Sequence, residues 1–252
     1  MNHRILSNCF RVALLVCLLP ATAHAGHAHI AVAANFAAPM KTLAAQFEQV
    51  TGHTLALSTG ATGKFYAQIK HGAPFDVFLA ADAETPAQLM REGDAVQSTT
   101  YAIGRLMLWS DRPGYIVGND AVLRQNRFKR LAIANPKLAP YGAAAIEVLT
   151  QLKLIDAVKN KFVIGENIAQ TYQFVASGNA ELGFVALSQV TQNGKLAHGS
   201  AWLVPASLHA PIRQDAVLLK HGEQNAAARA LFDFLKSPAA ALTLTRSFGY
   251  ER

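Results

Sequence analysis

The stretch HIAVAANFAAPMKTLAAQFEQVTGHTLALSTGATGKFYAQIKHGAPFDVFLAAD, residues 29–82, decides the fold because strand-like and helix-like segments alternate along it. Its short apolar runs are typical of buried strands, and they are HIAVAA (29–34), TLALS (54–58) and DVFLAA (76–81). The helix-like segment 36–50 has apolar residues at helical spacing, namely Met40, Leu43, Phe47 and Val50. This order predicts parallel strands joined by crossover helices.

The rest of the chain continues the alternation. The longer run YAIGRLMLWS (101–110) predicts one strand that leaves the first unit, and a second set of strands and helices follows a loop-rich stretch. The tail predicts two helices separated by Ser237 and Pro238. We therefore predict an α/β protein with two lobes around a cleft. The first lobe would span residues 26–104, the second residues 105–213, and residues 214–252 would return to the first lobe.

The chain has 252 residues, and its first 25 are typical of a secretory signal peptide. A basic start precedes the apolar run VALLVCLLP, and Ala23-His24-Ala25 matches a cleavage site. Both cysteines lie in this segment, so the mature chain would have neither disulfides nor thiol chemistry. We expect an exported, periplasmic protein.

The charge balance argues against nucleic acid as a partner. The formal net charge is +7, and the leader contributes two of the basic residues and no acidic one. The remaining basic residues are scattered and not interleaved with aromatic ones, unlike a nucleic-acid-binding surface. A moderately positive chain favours anions weakly, through long-range steering.

The segment STGATGK (58–64) looks like a phosphate loop but lacks its spacing. Gly60 and Gly63 are separated by two residues instead of four, and Phe65 follows Lys64 where a hydroxyl residue is needed. A nucleoside triphosphate site is therefore excluded, although the segment still joins a strand to a helix.

Four strand-to-helix turns are candidates for binding an anion. Parallel sheets bind ligands beyond the carboxyl ends of their strands, where the first N–H groups of a helix are unpaired and carry partial positive charge. Several such starts can hold a dianion without a charged side chain. The turns are residues 34–36, 59–63, 135–142 and 165–168. Asn35, Thr62 and Asn167 are also good helix caps, which alone would explain each of them.

Several segments together resemble the periplasmic molybdate-binding proteins of ABC transporters, which have the type II bilobal binding-protein fold. They are AANF (33–36), STGATGKFYAQIKHGAPFDVFLAAD (58–82), YAIGRLMLW (101–109), NPKLAPYG (135–142) and SGNAELGFVAL (177–187). The resemblance covers the mature chain. It implies a non-enzymatic monomer without a cofactor that binds molybdate or tungstate, with molybdenum present only as the oxyanion. A membrane permease and its ATPase would be the partners.

The resemblance also implies the site. The family's contacts to the oxyanion, made by neutral hydrogen bonds, correspond to Asn35, Thr62, Tyr141 and Ile168. Their neighbours are candidates of second rank, namely Ala34, Ala61, Gly63 and Asn167. Many members have a tyrosine at the position of Ala186 and a small residue at that of Tyr141. We therefore hypothesise that the Tyr141 phenol replaces the missing one, while Ala34 lacks a hydroxyl that related members have.

Three alternatives stay open at this stage. The anion could be sulfate or phosphate, because the sequence does not give the size of the site. A periplasmic hydrolase could use Asp76 and Asp82 as a carboxylate pair, although no G-x-S-x-G, H-E-x-x-H or cysteine nucleophile is present. A mature N-terminus with His27 and His29 could bind copper or zinc.

Overall fold

The computed structural model describes residues 25–192 and 194–251. The predicted signal peptide, apart from Ala25, lies outside the described residues. Within the described ranges, none of the helices combines the length and the apolar character needed to cross a membrane.

The described chain alternates strands and helices, as predicted. The strands are β1 (His27–Ala33), β2 (Thr54–Gly60), β3 (Val77–Leu79), β4 (Ala95–Gly104), β5 (Leu106–Ser110), β6 (Leu131–Ala134), β7 (Phe162–Gly165), β8 (Leu182–Ala186), β9 (Thr191–Gln192), β10 (Lys195–Leu196), β11 (Ser200–Leu203) and β12 (Ile212–Leu219). The α-helices are α1 (Ala37–Thr51), α2 (Thr62–Lys70), α3 (Glu84–Arg91), α4 (Ala121–Gln125), α5 (Pro140–Gln151), α6 (Ile155–Val158), α7 (Ile168–Ala176), α8 (Leu187–Val190), α9 (Ala226–Leu235) and α10 (Pro238–Phe248).

Two five-stranded sheets organise these elements. The first has the order β2-β1-β3-β12-β4 and the second the order β11-β5-β8-β6-β7. The predicted parallel pairing is confirmed where β1 pairs with β2 and β3, and where β6 pairs with β7 and β8. The other pairs are antiparallel, so both sheets are mixed. Strands β9 and β10 form a separate hairpin.

Each sheet has its own apolar core. Around the first sheet, Ile30 and Leu43 pack in one cluster with Leu231 and Leu244 of the two C-terminal helices. Around the second sheet, Leu108, Leu131, Phe184 and Val148 belong to another. Val50, the last of the four apolar residues at helical spacing, is instead 69% exposed and lies in the last turn of α1.

The sequence run 101–110 forms two strands instead of the predicted one. Strand β4 pairs with β12 in the first sheet, β5 pairs with β8 in the second, and Arg105 lies between them. The chain crosses between the sheets at this point because the two halves of the run bind different partners. Strand β12 begins at Ile212, opposite Gly104. The lobe boundaries at 104/105 and 213/214 stay a prediction.

Local signals explain several helix ends. Gly52 adopts a positive φ of 71° and donates its N–H to Glu48 O, which ends α1 as expected. Ser237 caps α10 by accepting from Ala240 N–H, and Pro238 follows at the first helical position. Helix α3 was missing from the sequence prediction because it is short and buries only Pro86 and Leu89.

Candidate functional site

Four predicted site residues lie around one small cavity between the two sheets. Asn35 lies in the 3-10 turn after β1, Thr62 begins α2, Tyr141 is the second residue of α5, and Ile168 begins α7. Their exposed fractions are only 2%, 2%, 2% and 3%. The cavity has a volume of about 10 Å³, which is far below the ~300–1,000 Å³ typical of sites for organic ligands.

The strand register explains why these turns meet. Strands β1 and β2 are parallel neighbours, and Ala33 pairs with Gly60 at their carboxyl ends. Strands β6 and β7 are also parallel neighbours, and Ala134 pairs with Gly165. Each sheet therefore brings two helix starts side by side, and the two pairs face each other across the cavity.

Backbone N–H groups are the common feature of the site. Those of Thr62, Tyr141 and Ile168 lie in the first turns of their helices, where an intrahelical acceptor is missing. Among the described residues they have no other acceptor either. Each helix start also carries partial positive charge. The arrangement suits a compact anion.

Glycine lets one of these helices approach its strand closely. A Cβ at Gly142 would lie 2.2 Å from the carbonyl oxygen of Ala134 at the end of β6. No side chain fits there, so this glycine allows the start of α5 to rest on the strand end. The position of the Tyr141 N–H therefore depends on the neighbouring residue Gly142.

The Thr62 hydroxyl is oriented by the backbone. Its Oγ1 accepts from the N–H of Ala81 at 3.0 Å, so its own proton can be donated to another acceptor. None of the described residues accepts that proton. Thr62 is not a cap, because the cap position of α2 is Ala61, which has no polar side chain.

The Tyr141 hydroxyl lies in a buried polar network beside the cavity. Gln214 Nε2 donates to Tyr141 Oη at 3.1 Å. Burial raises the pKa of the Tyr141 phenol well above its usual value, so the phenol stays protonated and can act as a neutral donor. Ala186, whose missing tyrosine this phenol is hypothesised to replace, is fully buried at the end of β8 and does not line the cavity.

The side chain of Asn35 points into the same network. Its Nδ2 donates to Gln214 Oε1 at 2.9 Å and to Tyr250 Oη at 3.1 Å. Both amide protons of Asn35 are thus donated to acceptors within the protein. The carbonyl oxygen of Asn35 accepts from Ser188 Oγ at 3.1 Å.

The second-rank residues divide into three kinds. Asn167 accepts from the N–H groups of two residues in α7 at 3.0 Å each, so it is a helix cap. Gly63 donates its N–H to the carbonyl oxygen of Leu138 at 3.0 Å and does not line the cavity. Ala34 and Ala61 line the cavity and have no polar side-chain atom. Gln214 and Tyr250 were not predicted, because they are distant in sequence from every strand-to-helix turn.

Charged side chains are absent from the lining of this cavity, as far as the described residues show. The nearest charges in the same turns are Lys64 and Glu166, which pair with each other at 2.7 Å and are about half exposed, at 46% and 49%. A ligand in the cavity would therefore meet only neutral donors and helix ends.

The comparisons with known proteins agree with this geometry. Residues 28–251 match the family model described as bacterial extracellular solute-binding protein. The chain belongs to this family. It is 57% identical over 241 residues to the molybdate-binding protein ModA of Azotobacter vinelandii, with 95% of each chain covered. It is 50% identical over 238 residues to ModA of Rhodobacter capsulatus, with 94% of this chain and 92% of that protein covered.

A solved structure extends the comparison to the fold. The periplasmic molybdate-binding protein of Azotobacter vinelandii matches this solute-binding protein with a TM-score of 0.86 at 39% identity, covering 89% of this chain and 99% of that one. The resemblance to periplasmic molybdate-binding proteins and the two-lobe α/β fold are therefore confirmed.

The structure gives the alternative sites other roles. In the part of this solute-binding protein that the structure describes, no three His, Cys, Asp or Glu residues are placed to hold a metal ion. His27 contacts Thr54 Oγ1 through Nδ1 at 2.9 Å. Asp76 accepts from the His29 N–H at 2.7 Å, and Asp82 accepts from the N–H of Thr85 at 2.9 Å. Burial raises the pKa of Asp82. The two carboxylates are thus structural acceptors.

Proposed function

We propose that this protein captures molybdate or tungstate as a dianion between its two lobes and passes it to an ABC importer. The observation that carries the proposal is the convergence of four buried helix starts on one small, uncharged cavity. Names of relatives support the choice of anion, because the proteins from Azotobacter vinelandii and Rhodobacter capsulatus are molybdate-binding proteins.

Hydrogen bonding explains how a neutral site would bind a dianion. The backbone N–H groups at Asn35, Thr62, Tyr141 and Ile168 would point to the oxyanion, together with two hydroxyl protons. Each buried donor left without an acceptor costs about 1–3 kcal/mol. Sulfate is smaller than molybdate or tungstate and would leave some donors unpaired, so we expect the site to discriminate by size.

Ligand binding would also favour the closed form. Two of the helix starts belong to the first sheet and two to the second, so an anion bound to all four bridges the lobes. A ligand shifts a conformational equilibrium by its difference in affinity for the two forms. We propose that a hinge closes the lobe formed by residues 26–104 and 214–252 onto the lobe formed by residues 105–213. We also propose that the protein is exported with cleavage after Ala25. As a periplasmic monomer, it would deliver the anion to a membrane permease and its ATPase.

Thermal unfolding of residues 26–252 tests the proposal. The protein is heated with 1 mM molybdate, tungstate, sulfate or phosphate in separate samples. A ligand present at about 1,000 times its dissociation constant adds about 4 kcal/mol to the free energy of unfolding, which for a chain of this size is roughly 8–16 °C in the midpoint.

The four anions separate the outcomes. Shifts of that order with molybdate and tungstate, and little with sulfate or phosphate, are expected. A dominant shift with sulfate or phosphate would show that this anion is the ligand instead of molybdate, although the protein would still be an oxyanion-binding protein. No shift with any of them would contradict oxyanion capture.

A further inference from the structure

The carbonyl oxygen of Asn35 has donors from two distant parts of the chain. Ser188 Oγ donates to it at 3.1 Å, and Tyr250 Oη lies within hydrogen-bond distance of it at 3.2 Å. Asn35, Ser188 and Tyr250 are only 2%, 6% and 4% exposed. Water therefore has little access to this oxygen, and the protein itself has to satisfy it.

Pro39 explains why this carbonyl needs side-chain donors. Asn35 lies in the 3-10 turn that leads into α1, and a helix carbonyl ordinarily accepts from the N–H four residues later. The residue four positions after Asn35 is Pro39, which has no N–H. Pro39 is buried in the first turn of α1, where a helix tolerates proline. The sequence thus leaves a buried acceptor without its usual backbone donor, at one of the turns that form the cavity.

The donor Ser188 belongs to the other sheet. It lies in α8, directly after strand β8 of the second sheet, whereas Asn35 follows strand β1 of the first. The neighbouring Leu187 donates its N–H to Arg105 O at 2.9 Å, so the start of α8 is fixed to the point where the chain crosses between the sheets. Ser188 does not line the cavity. Its hydrogen bond to Asn35 therefore connects the two lobes outside the ligand site.

The hydroxyl groups of Ser188 and Tyr250 differ in the number of acceptors within their reach. They lie 3.1 Å apart, and either can donate to the other. The Tyr250 hydroxyl is also hydrogen-bonded with Asn35 and Tyr141. The Ser188 proton has two acceptors, Asn35 O and Tyr250 Oη. Ser188 is thus the donor to this carbonyl with fewer competing acceptors.

We propose that Ser188 is a positioning residue for anion binding, which holds the turn of residues 34–36 against the second lobe through the carbonyl oxygen of Asn35. Ser188 would not touch the ligand. Because its hydrogen bond joins groups of different lobes, it stabilises the arrangement in which the four helix starts meet and is lost when they separate. This role rests on the proposed function, because it concerns the convergence of the donors of that site.

Ser188→Ala removes the hydroxyl with little change of volume. We expect molybdate to bind about 3- to 10-fold more weakly, mainly through faster dissociation, because one hydrogen bond of the closed form is missing. Ser200→Ala is the matched control, since Ser200 is 7% exposed and its Oγ donates to Arg112 O at 2.6 Å within the second lobe. The control should lower the free energy of unfolding and leave the affinity unchanged. Calorimetric titration, stopped-flow displacement and urea unfolding measure affinity, dissociation rate and stability.

Pro39→Ala separates positioning from damage to the fold. Alanine at position 39 supplies the N–H that the Asn35 carbonyl lacks, so the helix can take over the hydrogen bond. In the Pro39→Ala background, Ser188→Ala should change the affinity by less than about twofold. Pro238→Ala is the matched control, because Pro238 is exposed at the start of α10. In that background the full effect of Ser188→Ala should remain.

Two results would overturn the inference. One is a Ser188→Ala variant that binds molybdate as tightly as Ser200→Ala does. The other is a loss of the same size in the Pro39→Ala background. The wild type keeps the two proposals apart. If it binds sulfate instead of molybdate, the same variants are measured with sulfate. If it binds no oxyanion, both proposals fail, whereas normal wild-type binding with an unaffected Ser188→Ala variant overturns this inference alone.

Discussion

At the scale of single residues, the Thr62 hydroxyl accepts one hydrogen bond within the protein and can donate another to a ligand. The oxygen holds the N–H of Ala81 at 3.0 Å, and the proton is left for a ligand. Its exposed fraction is only 2%, so water cannot replace a lost partner easily. Buried donors without partners are costly. The residue therefore contributes to the fold and to the proposed site at once.

Replacement of Thr62 tests both hydrogen bonds together. Thr62→Val removes the acceptor for the Ala81 N–H and the donor for the anion at similar volume. We expect the free energy of unfolding to fall by about 1–3 kcal/mol and the affinity for molybdate to fall by about 10- to 100-fold. Thr62→Ser keeps both bonds and should be close to wild type in calorimetric titration. Equal binding by the valine variant would exclude the hydroxyl from the site.

At the same scale, part of the site could be predicted from the sequence and part could not. The strand-to-helix turns that contain Thr62, Tyr141 and Ile168 were predicted from the sequence pattern, and the resemblance to molybdate-binding proteins implied these three residues as contacts. The structure places all three at one cavity. The role of the Asn35 amide was not predictable, because its partners Gln214 and Tyr250 are about 180 and 215 positions away in sequence. Local patterns contain no information about such contacts.

At the scale of elements, α5 depends on a glycine at its third position. Gly142 lies against the carbonyl oxygen of Ala134, and the helix start brings the Tyr141 N–H to the cavity. The presence of this strand and of this helix was predicted from the spacing of their apolar residues. The predicted lobe boundary at 104/105 lies inside the run 101–110, between β4 and β5, but the apolar pattern of this run does not indicate which strands its two halves pair with.

Gly142→Ala tests the close approach of α5 to β6. The added Cβ would meet a backbone atom at 2.2 Å, so a side-chain rotation cannot relieve the contact and the helix start has to move. We expect a loss of about 1–3 kcal/mol in the free energy of unfolding, measured by chemical denaturation, together with weaker molybdate binding. Gly26→Ala is the control, since its Cβ would be 3.3 Å from a methyl group. Equal stability of both variants would contradict this explanation.

At the scale of the whole molecule, contacts across the lobes accompany the proposed closure. Gly63 N–H of the first lobe donates to Leu138 O of the second at 3.0 Å. Beside it, Lys64 pairs with Glu166 at 2.7 Å. Both contacts join the turns that form the site, so they would break when the lobes separate. An anion would thus be released only as they are lost.

A charge swap tests whether the Lys64–Glu166 pair slows release. The two side chains are 46% and 49% exposed, and exposed pairs contribute only about 0–1 kcal/mol. Lys64→Glu places two carboxylates opposite each other and should raise the dissociation rate of molybdate by about fivefold at low salt, with a smaller effect at high salt.

Adding Glu166→Lys in the same chain restores an opposite-charge pair in reversed orientation and should bring the rate back to near the wild-type value. Stopped-flow displacement measures these rates. A double variant as fast as Lys64→Glu alone would show that the pair does not hold the closed form, because net charge is the same in wild type and swap.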